Sequence, residues 1–231
     1  MRKQQKGNNA LSMITLTAAD GHQFQAFAAG AADAPRCLVV LQEIFGVNQH
    51  ICEVAERFAG QGYRVLAPAL FDRVTPAITL DYSQDGVAAG LEARAKIPAE
   101  KTLLDIEATA TAFGGHHPVG IIGYCWGGSL AWLGATQTKL FKAASCWYGG
   151  QIIQTKDAKP NCPVQMHFGS EDHGIPLQDV EEIRAAQPDV EVYIYPGAQH
   201  GFGCNQRPSF SQKDWELAYL RSLTLFAEHL R

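Results

Sequence analysis

The chain has 231 residues, 46% of them apolar, and a formal net charge of −4. That length and composition fit one soluble α/β domain with a sizeable core. No basic run is present and no apolar run approaches the about 18 residues of a membrane span, which removes nucleic acid and the bilayer as expected partners.

Residues 1–10 are polar, with several basic side chains and no apolar stretch behind them. They are expected to form a disordered tail rather than a signal peptide, ahead of a single domain over 11–231. The expected compartment is then the cytoplasm, where the cysteines at 37, 52, 125, 146, 162 and 204 stay reduced. None form C-x-x-C, so zinc-ribbon and thioredoxin chemistry drop out. Cys37, Cys146 and Cys162 sit in apolar runs and are expected to act as small buried hydrophobes.

In chain order, residues 13–17 and 23–27 flank Asp20-Gly21, a hairpin signal. Residues 37–41 form a continuous apolar run, as in a strand buried on both faces of a parallel sheet. Ile51, Val54, Ala55 and Phe58 recur at helical spacing until Gly60 and Gly62. Residues 63–68 predict the next strand. Asp72 to Pro76 predicts a loop, residues 81–96 a weak Ala-rich helix, and Leu103, Ile106, Ala110 and Phe113 a clearer one. Val119 to Gly123 ends in Tyr124-Cys125-Trp126-Gly127-Gly128 and is followed by an apolar helical run. Strands are expected at 143–147, 163–168 and 190–195, a helix around Val180, Ile183 and Ala186, and a C-terminal helix whose inner face carries Trp215, Tyr219, Leu223, Phe226 and Leu230. A hairpin followed by alternating strands and helices predicts a doubly wound, mostly parallel sheet flanked by helices, with an antiparallel N-terminal edge.

The turn at 123–127 carries the chemistry. Strand, sharp turn with a nucleophile at its apex, then helix is a nucleophile elbow, spelled here G-x-C-x-G with Cys125 at the apex. Asp172 and His200 each lie just past a later strand. The order nucleophile, acid, histidine is that of the α/β-hydrolase fold. A thiol needs a base to become a thiolate, an imidazole can take and return that proton, and a carboxylate fixes the imidazole tautomer. Taken singly, each has a plainer role: Cys125 as a structural thiol at a tight turn, Asp172 as a cap, His200 as a loop histidine. Glu171 competes with Asp172, which is favoured by the turn His173-Gly174-Ile175-Pro176. His167 is expected to pack within its strand. A zinc site around His167 and His173 lacks any paired ligand spacing. The helix after Cys125 offers free N–H groups and a positive dipole end. The N–H of Trp126, and that of Ile44 in the loop after the strand at 37–41, are the candidate oxyanion donors.

Three stretches, Gln42-Glu43-Ile44-Phe45-Gly46-Val47-Asn48, Gly123-Tyr124-Cys125-Trp126-Gly127-Gly128 and Ala198-Gln199-His200-Gly201-Phe202, resemble the dienelactone hydrolase (carboxymethylenebutenolidase) family over nearly the whole chain after residue 12. The resemblance implies the α/β-hydrolase fold and a triad of Cys125, His200 and Asp172. It further implies that Glu43 pairs with the resting thiol and swings away when substrate arrives. The family's best-studied members hold a substrate carboxylate with two arginines. This sequence lacks one shortly after His200 and has none in 81–90. Arg207 and Arg73 are the nearest cations in sequence, and Phe45, Tyr148 and Phe202 are the other candidate substrate contacts. The expected activity is hydrolysis of a small-molecule ester or lactone through an acyl-enzyme, with no cofactor and no metal. The alternative is a catalytically silent ligand-binding or thiol-sensing module on the same fold.

Overall fold

The computed structural model describes residues 11–115 and 117–231; the stretch 1–10, expected as a tail, lies outside them. One eight-stranded sheet runs through the molecule in the order β1-β2-β4-β3-β5-β6-β7-β8. The strands are β1 (Ser12–Thr17), β2 (Gln23–Ala29), β3 (Arg36–Leu41), β4 (Tyr63–Pro68), β5 (Val119–Tyr124), β6 (Phe141–Trp147), β7 (Val164–Gly169) and β8 (Glu191–Tyr195). β1 pairs antiparallel with β2, and β2 antiparallel with β4; every other pairing is parallel. The Asp20-Gly21 signal marks the edge hairpin as expected, with Gly21 at φ +82° in its turn.

Why β3 and β5 sit in the middle follows from composition. Residues 37–41 are wholly buried and β5 is buried along its length, so both strands can be apolar at every position. Helix α1 (Gln49–Gly60) and helix α6 (Gln212–His229) cover one face. Phe58 and Tyr219 meet there with ring centroids 5.1 Å apart, and Phe58 and Phe226 at 6.1 Å. Each such ring contributes about 1.5–3 kcal/mol through burial. Helices α3 (Ala99–Thr111) and α4 (Trp126–Gln137) cover the other face. The two remaining helices, α2 (Gln84–Ala95) and α5 (Leu177–Ala186), follow β4 and β7. The weakly helical stretch at 81–96 is therefore a helix, capped by the Ser83 hydroxyl, which accepts from the Gly86 N–H. The stretch expected as a loop from 72 begins inside a short 3-10 turn over Leu70–Arg73. Cys37 and Cys146 are buried as expected, whereas Cys162 is partly exposed.

The chain crosses from β3 outward to β4, then returns past β3 to β5. The loops after β3 and β5 consequently diverge on either side of the 41–123 pairing, which opens a crevice at the carboxyl ends of the two strands.

Candidate active site

Cys125 stands at the apex of the β5–α4 turn with φ +56° and ψ −116°, a strained backbone for a residue with a Cβ. Small neighbours permit the turn. A Cβ on Gly123 would run into the Gly127 carbonyl, one on Gly127 would stand 2.5 Å from the Leu41 carbonyl oxygen, and one on Gly128 would meet the Trp147 carbonyl. The Cys125 N–H donates to the Trp147 carbonyl at 3.0 Å, pinning the apex to β6. Helix α4 starts at Trp126; the Gly128 and Ser129 N–H groups donate to the Cys125 carbonyl, so the Trp126 and Gly127 N–H groups ahead of them are the ones with no intrahelical acceptor.

His200 and Asp172 arrive from separate strand ends. The Cys125 Sγ lies 3.2 Å from His200 Nε2, and His200 Nδ1 lies 2.7 Å from Asp172 Oδ2. The other Asp172 oxygen accepts the Gly174 N–H at 2.9 Å, the turn that selects Asp172 over Glu171. Asp172 is buried and the imidazole half-buried, with Tyr148 standing edge-on to the ring at 5.1 Å. Burial disfavours the imidazolium, but the Cys125 sulfur and the Asp172 carboxylate outweigh it and raise His200 to about 10. His167 is fully buried in β7, bonded through Nδ1 to the Tyr195 hydroxyl at 2.8 Å, and burial lowers it to about 3. It packs within its strand, as the sequence suggested.

The 42–48 loop forms the facing wall. Gln42 Oε1 accepts from the Leu70 N–H at 3.1 Å, the Phe45 carbonyl accepts from Leu80, and Asn48 caps α1 through the Ile51 N–H. Glu43 is 1% exposed. Its carboxylate accepts from the Tyr82 hydroxyl at 3.1 Å and from Arg207 Nη1 at 3.5 Å. The resemblance pairs Glu43 with the resting thiol. Among the described hydrogen bonds Sγ is instead turned to His200, and Tyr82 and Arg207 occupy Glu43. Tyr82 carries no signal in the sequence because it lies just ahead of α2, in the weakly helical stretch 81–96.

A cavity of about 380 Å³ opens on the thiol. Its walls include Ile44, Cys125, Trp126 and His200, which the sequence had brought together, and also Val87, Leu91 and Arg94 of α2 and Ile175. The five candidate substrate contacts are not on this wall. Arg73 is the clearest correction: its guanidinium donates to Asp105 at 2.6 and 2.8 Å and to Asp20 at 3.0 Å, which makes it a structural cation under the hairpin. Phe202 is fully buried against Trp147, Tyr148 and Tyr195, and Tyr148 is itself fully buried. Phe45 packs on Tyr82 at 4.5 Å, and Arg207 sits behind Glu43, over the Phe45 and Tyr82 rings. The cation that does line the cavity is Arg94, which enters none of the ion pairs among the described residues. It was missed because only the packing of α2 over the crevice brings the last turn of that helix to the thiol.

A mostly parallel eight-stranded sheet with an elbow at its centre, and an acid and a histidine at later strand ends, defines an α/β-hydrolase. The sequence profile of the dienelactone hydrolase family matches residues 24–230. The chain is 35% identical over 213 residues to a Synechocystis sp. protein provisionally assigned as a carboxymethylenebutenolidase, covering 84% of this chain and 86% of that one. It is 30% identical over 226 residues to the carboxymethylenebutenolidase of Pseudomonas putida, covering 93% and 95%. The crystal structure of a Klebsiella pneumoniae protein, provisionally described as a dienelactone hydrolase, superposes with a TM-score of 0.83 at 30% identity, covering 95% of this chain and all of that one. The chain belongs to the dienelactone hydrolase family and is a hydrolase of that type. No helix of the described residues is long and apolar enough to cross a membrane.

Proposed function

We propose that the protein hydrolyses a small-molecule ester or lactone by covalent catalysis, with Cys125 as nucleophile, His200 as acid and base, and Asp172 as its orienting carboxylate. The observation that carries this reading is the unbroken chain Sγ–Nε2 at 3.2 Å and Nδ1–Oδ2 at 2.7 Å, open to a cavity. Thiolate attack on the carbonyl carbon gives a tetrahedral oxyanion, which the N–H groups of Trp126 and Ile44 receive. Its collapse expels the alkoxide or enolate, which takes the imidazolium proton. Water, deprotonated by His200, then attacks the thioester and releases the acid. A thiolate also leaves easily from the tetrahedral intermediate, so the substrates that suit it carry good leaving groups, enol lactones among them. A sensor needs only an accessible, acidic thiol, so the aligned histidine and carboxylate favour the enzyme over the silent module.

His200 supplies a pH signature. Its folded value of about 10 exceeds the ordinary 6.5, so its contribution to stability is complete below about pH 6.5 and is lost as the pH rises through 10. On the same ground kcat/KM should hold through neutrality and fall on the basic side as the imidazolium loses its proton. Asp172→Asn removes one of the two groups that raise it. The expected result is a basic limb displaced to lower pH, with kcat reduced on the order of 10²–10⁴. An unmoved limb would show that Asp172 does not act through the imidazole.

Arg94 gives the substrate a charge preference. A carboxylate in the cavity would meet this cation, a contact of about 1.5 kcal/mol when charge-assisted and part-exposed. Arg94→Ala should raise KM for a carboxylate-bearing aryl ester about tenfold and leave the neutral analogue near its original value. Equal effects on both esters would count against the preference. The reading as a whole is tested by quenching the enzyme during turnover of an activated aryl ester and weighing the protein. An added acyl mass on the peptide containing Cys125 is expected; turnover with no acyl adduct, or with the adduct on another residue, overturns it.

A further inference from the structure

At Glu43, in the 42–48 loop, three metal-ligand side chains converge. A Glu43 carboxylate oxygen, a His50 ring nitrogen and the Cys204 sulfur all lie within 4.8 Å of one another, and all three residues are buried. They come from three separate parts of the chain: the loop after β3, the first turn of α1, and the segment following His200. His50 is 3% exposed, and its Nε2 has no hydrogen-bond partner, an uncompensated cost in a packed interior. The Tyr82 hydroxyl joins the other two, donating to Glu43 at 3.1 Å and accepting from the Cys204 thiol at 3.2 Å. Beside the cluster lies a cavity of about 220 Å³ whose walls include His50, Gly203, Asn205, Glu53 and Arg57, which gives an ion a route from the surface.

We propose that Glu43, His50 and Cys204 form a site for a divalent transition metal of the zinc class, with a water or the Tyr82 oxygen as fourth ligand, and that occupancy restrains Glu43. One nitrogen, one thiolate and one carboxylate are ligands that zinc accepts in tetrahedral geometry. Bond lengths of about 2.0–2.3 Å set ligand atoms roughly 3.3–3.8 Å apart, so a cluster whose atoms lie within 4.8 Å of one another closes by no more than roughly 1.5 Å on binding. The Cys204 proton leaves to solvent as its sulfur coordinates, one proton per metal bound. Arg207, 3.5 Å from Glu43, opposes a dication. The carboxylate and the new thiolate together bring two negative charges that offset it. Coordination through Nε2 gives that unpartnered nitrogen an acceptor for its lone pair, and the metal competes with Arg207 for the Glu43 carboxylate. The regulatory consequence, loss of hydrolysis on metal binding, rests on the reading that Glu43 serves the thiol; the site itself does not.

The test uses Cys125→Ala protein, which removes the other thiol–imidazole pair able to hold a metal. Cobalt(II) is expected to bind at one equivalent with a thiolate-to-metal charge-transfer band, and zinc to displace it. In that background Cys204→Ala should abolish the band. His50→Phe, which retains the ring packing against Tyr124, should weaken binding at least tenfold, so the result does not depend on one variant folding. Absence of the band in Cys125→Ala, or its persistence after Cys204→Ala, overturns the site. At one equivalent, zinc should also inhibit the Cys125 enzyme at least tenfold more strongly than its Cys204→Ala variant, which keeps only the Cys125–His200 pair. Binding at the site without inhibition would overturn the link to Glu43 and leave the site standing.

Discussion

Cys125→Ala should lower kcat for an activated ester on the order of 10⁴–10⁶, the range that follows when a covalent nucleophile is deleted from an otherwise intact triad. The substitution is a clean one. Alanine carries the same Cβ as cysteine, so the φ of +56° strains both residues alike, and the N–H bond to Trp147 is untouched. Only the sulfur, part-buried at the cavity and 3.2 Å from His200, is lost. The proposed oxyanion donors and the cavity remain, so some rate above the uncatalysed reaction is expected to persist and KM to change little. Steady-state turnover with matched thermal melts is the measurement. Full activity in the variant would remove Cys125 from the chemistry and with it the proposed acyl-enzyme.

Arg73→Met should be the largest single loss of stability outside the core rings, about 3–5 kcal/mol, with a fall in Tm of roughly 10 °C. Asp105 has a side chain with no solvent exposure, and Arg73, 10% exposed, is its charged partner through two hydrogen bonds. Burial pushes the Asp105 carboxyl up, opposed by the guanidinium beside it. Without Arg73 the carboxylate is left buried and unpaired, and desolvation dominates. Replacing both partners, as Arg73→Met with Asp105→Leu, should restore most of the loss because no charge is then stranded. Denaturant unfolding reads both variants. Since Arg73 takes no part in the cavity, kcat/KM per folded molecule should be unchanged in Arg73→Met; a selective rise in KM for a carboxylate-bearing ester would return it to the substrate site.

Strands β3 and β5 were legible because a central parallel strand must be apolar at every position. The elbow was legible because close backbone approach at 123, 127 and 128 tolerates only glycine. The stretch 81–96 reads only as a weak helix because α2 has almost no apolar stripe. Its three buried residues, Gly86, Gly90 and Ala93, are small, chosen for closeness to neighbouring backbone rather than for side-chain area. Tyr82 and Arg94 belong to that region, so the parts of the site that it supplies were hidden with it.

The order of Cys125, Asp172 and His200 is a property of the sequence alone, because each follows a strand that the chain's own periodicity marks, and strand ends in a doubly wound sheet share one edge. Which cation faces the thiol is a property of the tertiary structure. Arg73, Arg94 and Arg207 are equivalent as letters in a chain. Asp105 claims the first, Glu43 the second of the pair expected from the sequence, Arg207, and the helix that crosses the crevice delivers Arg94. The same holds for Glu43 and Cys204, 161 residues apart in number yet joined through one tyrosine hydroxyl. Periodicity reports how each segment meets the core; a long charged side chain reaches several ångströms beyond its segment, and only the packed neighbours decide where it ends.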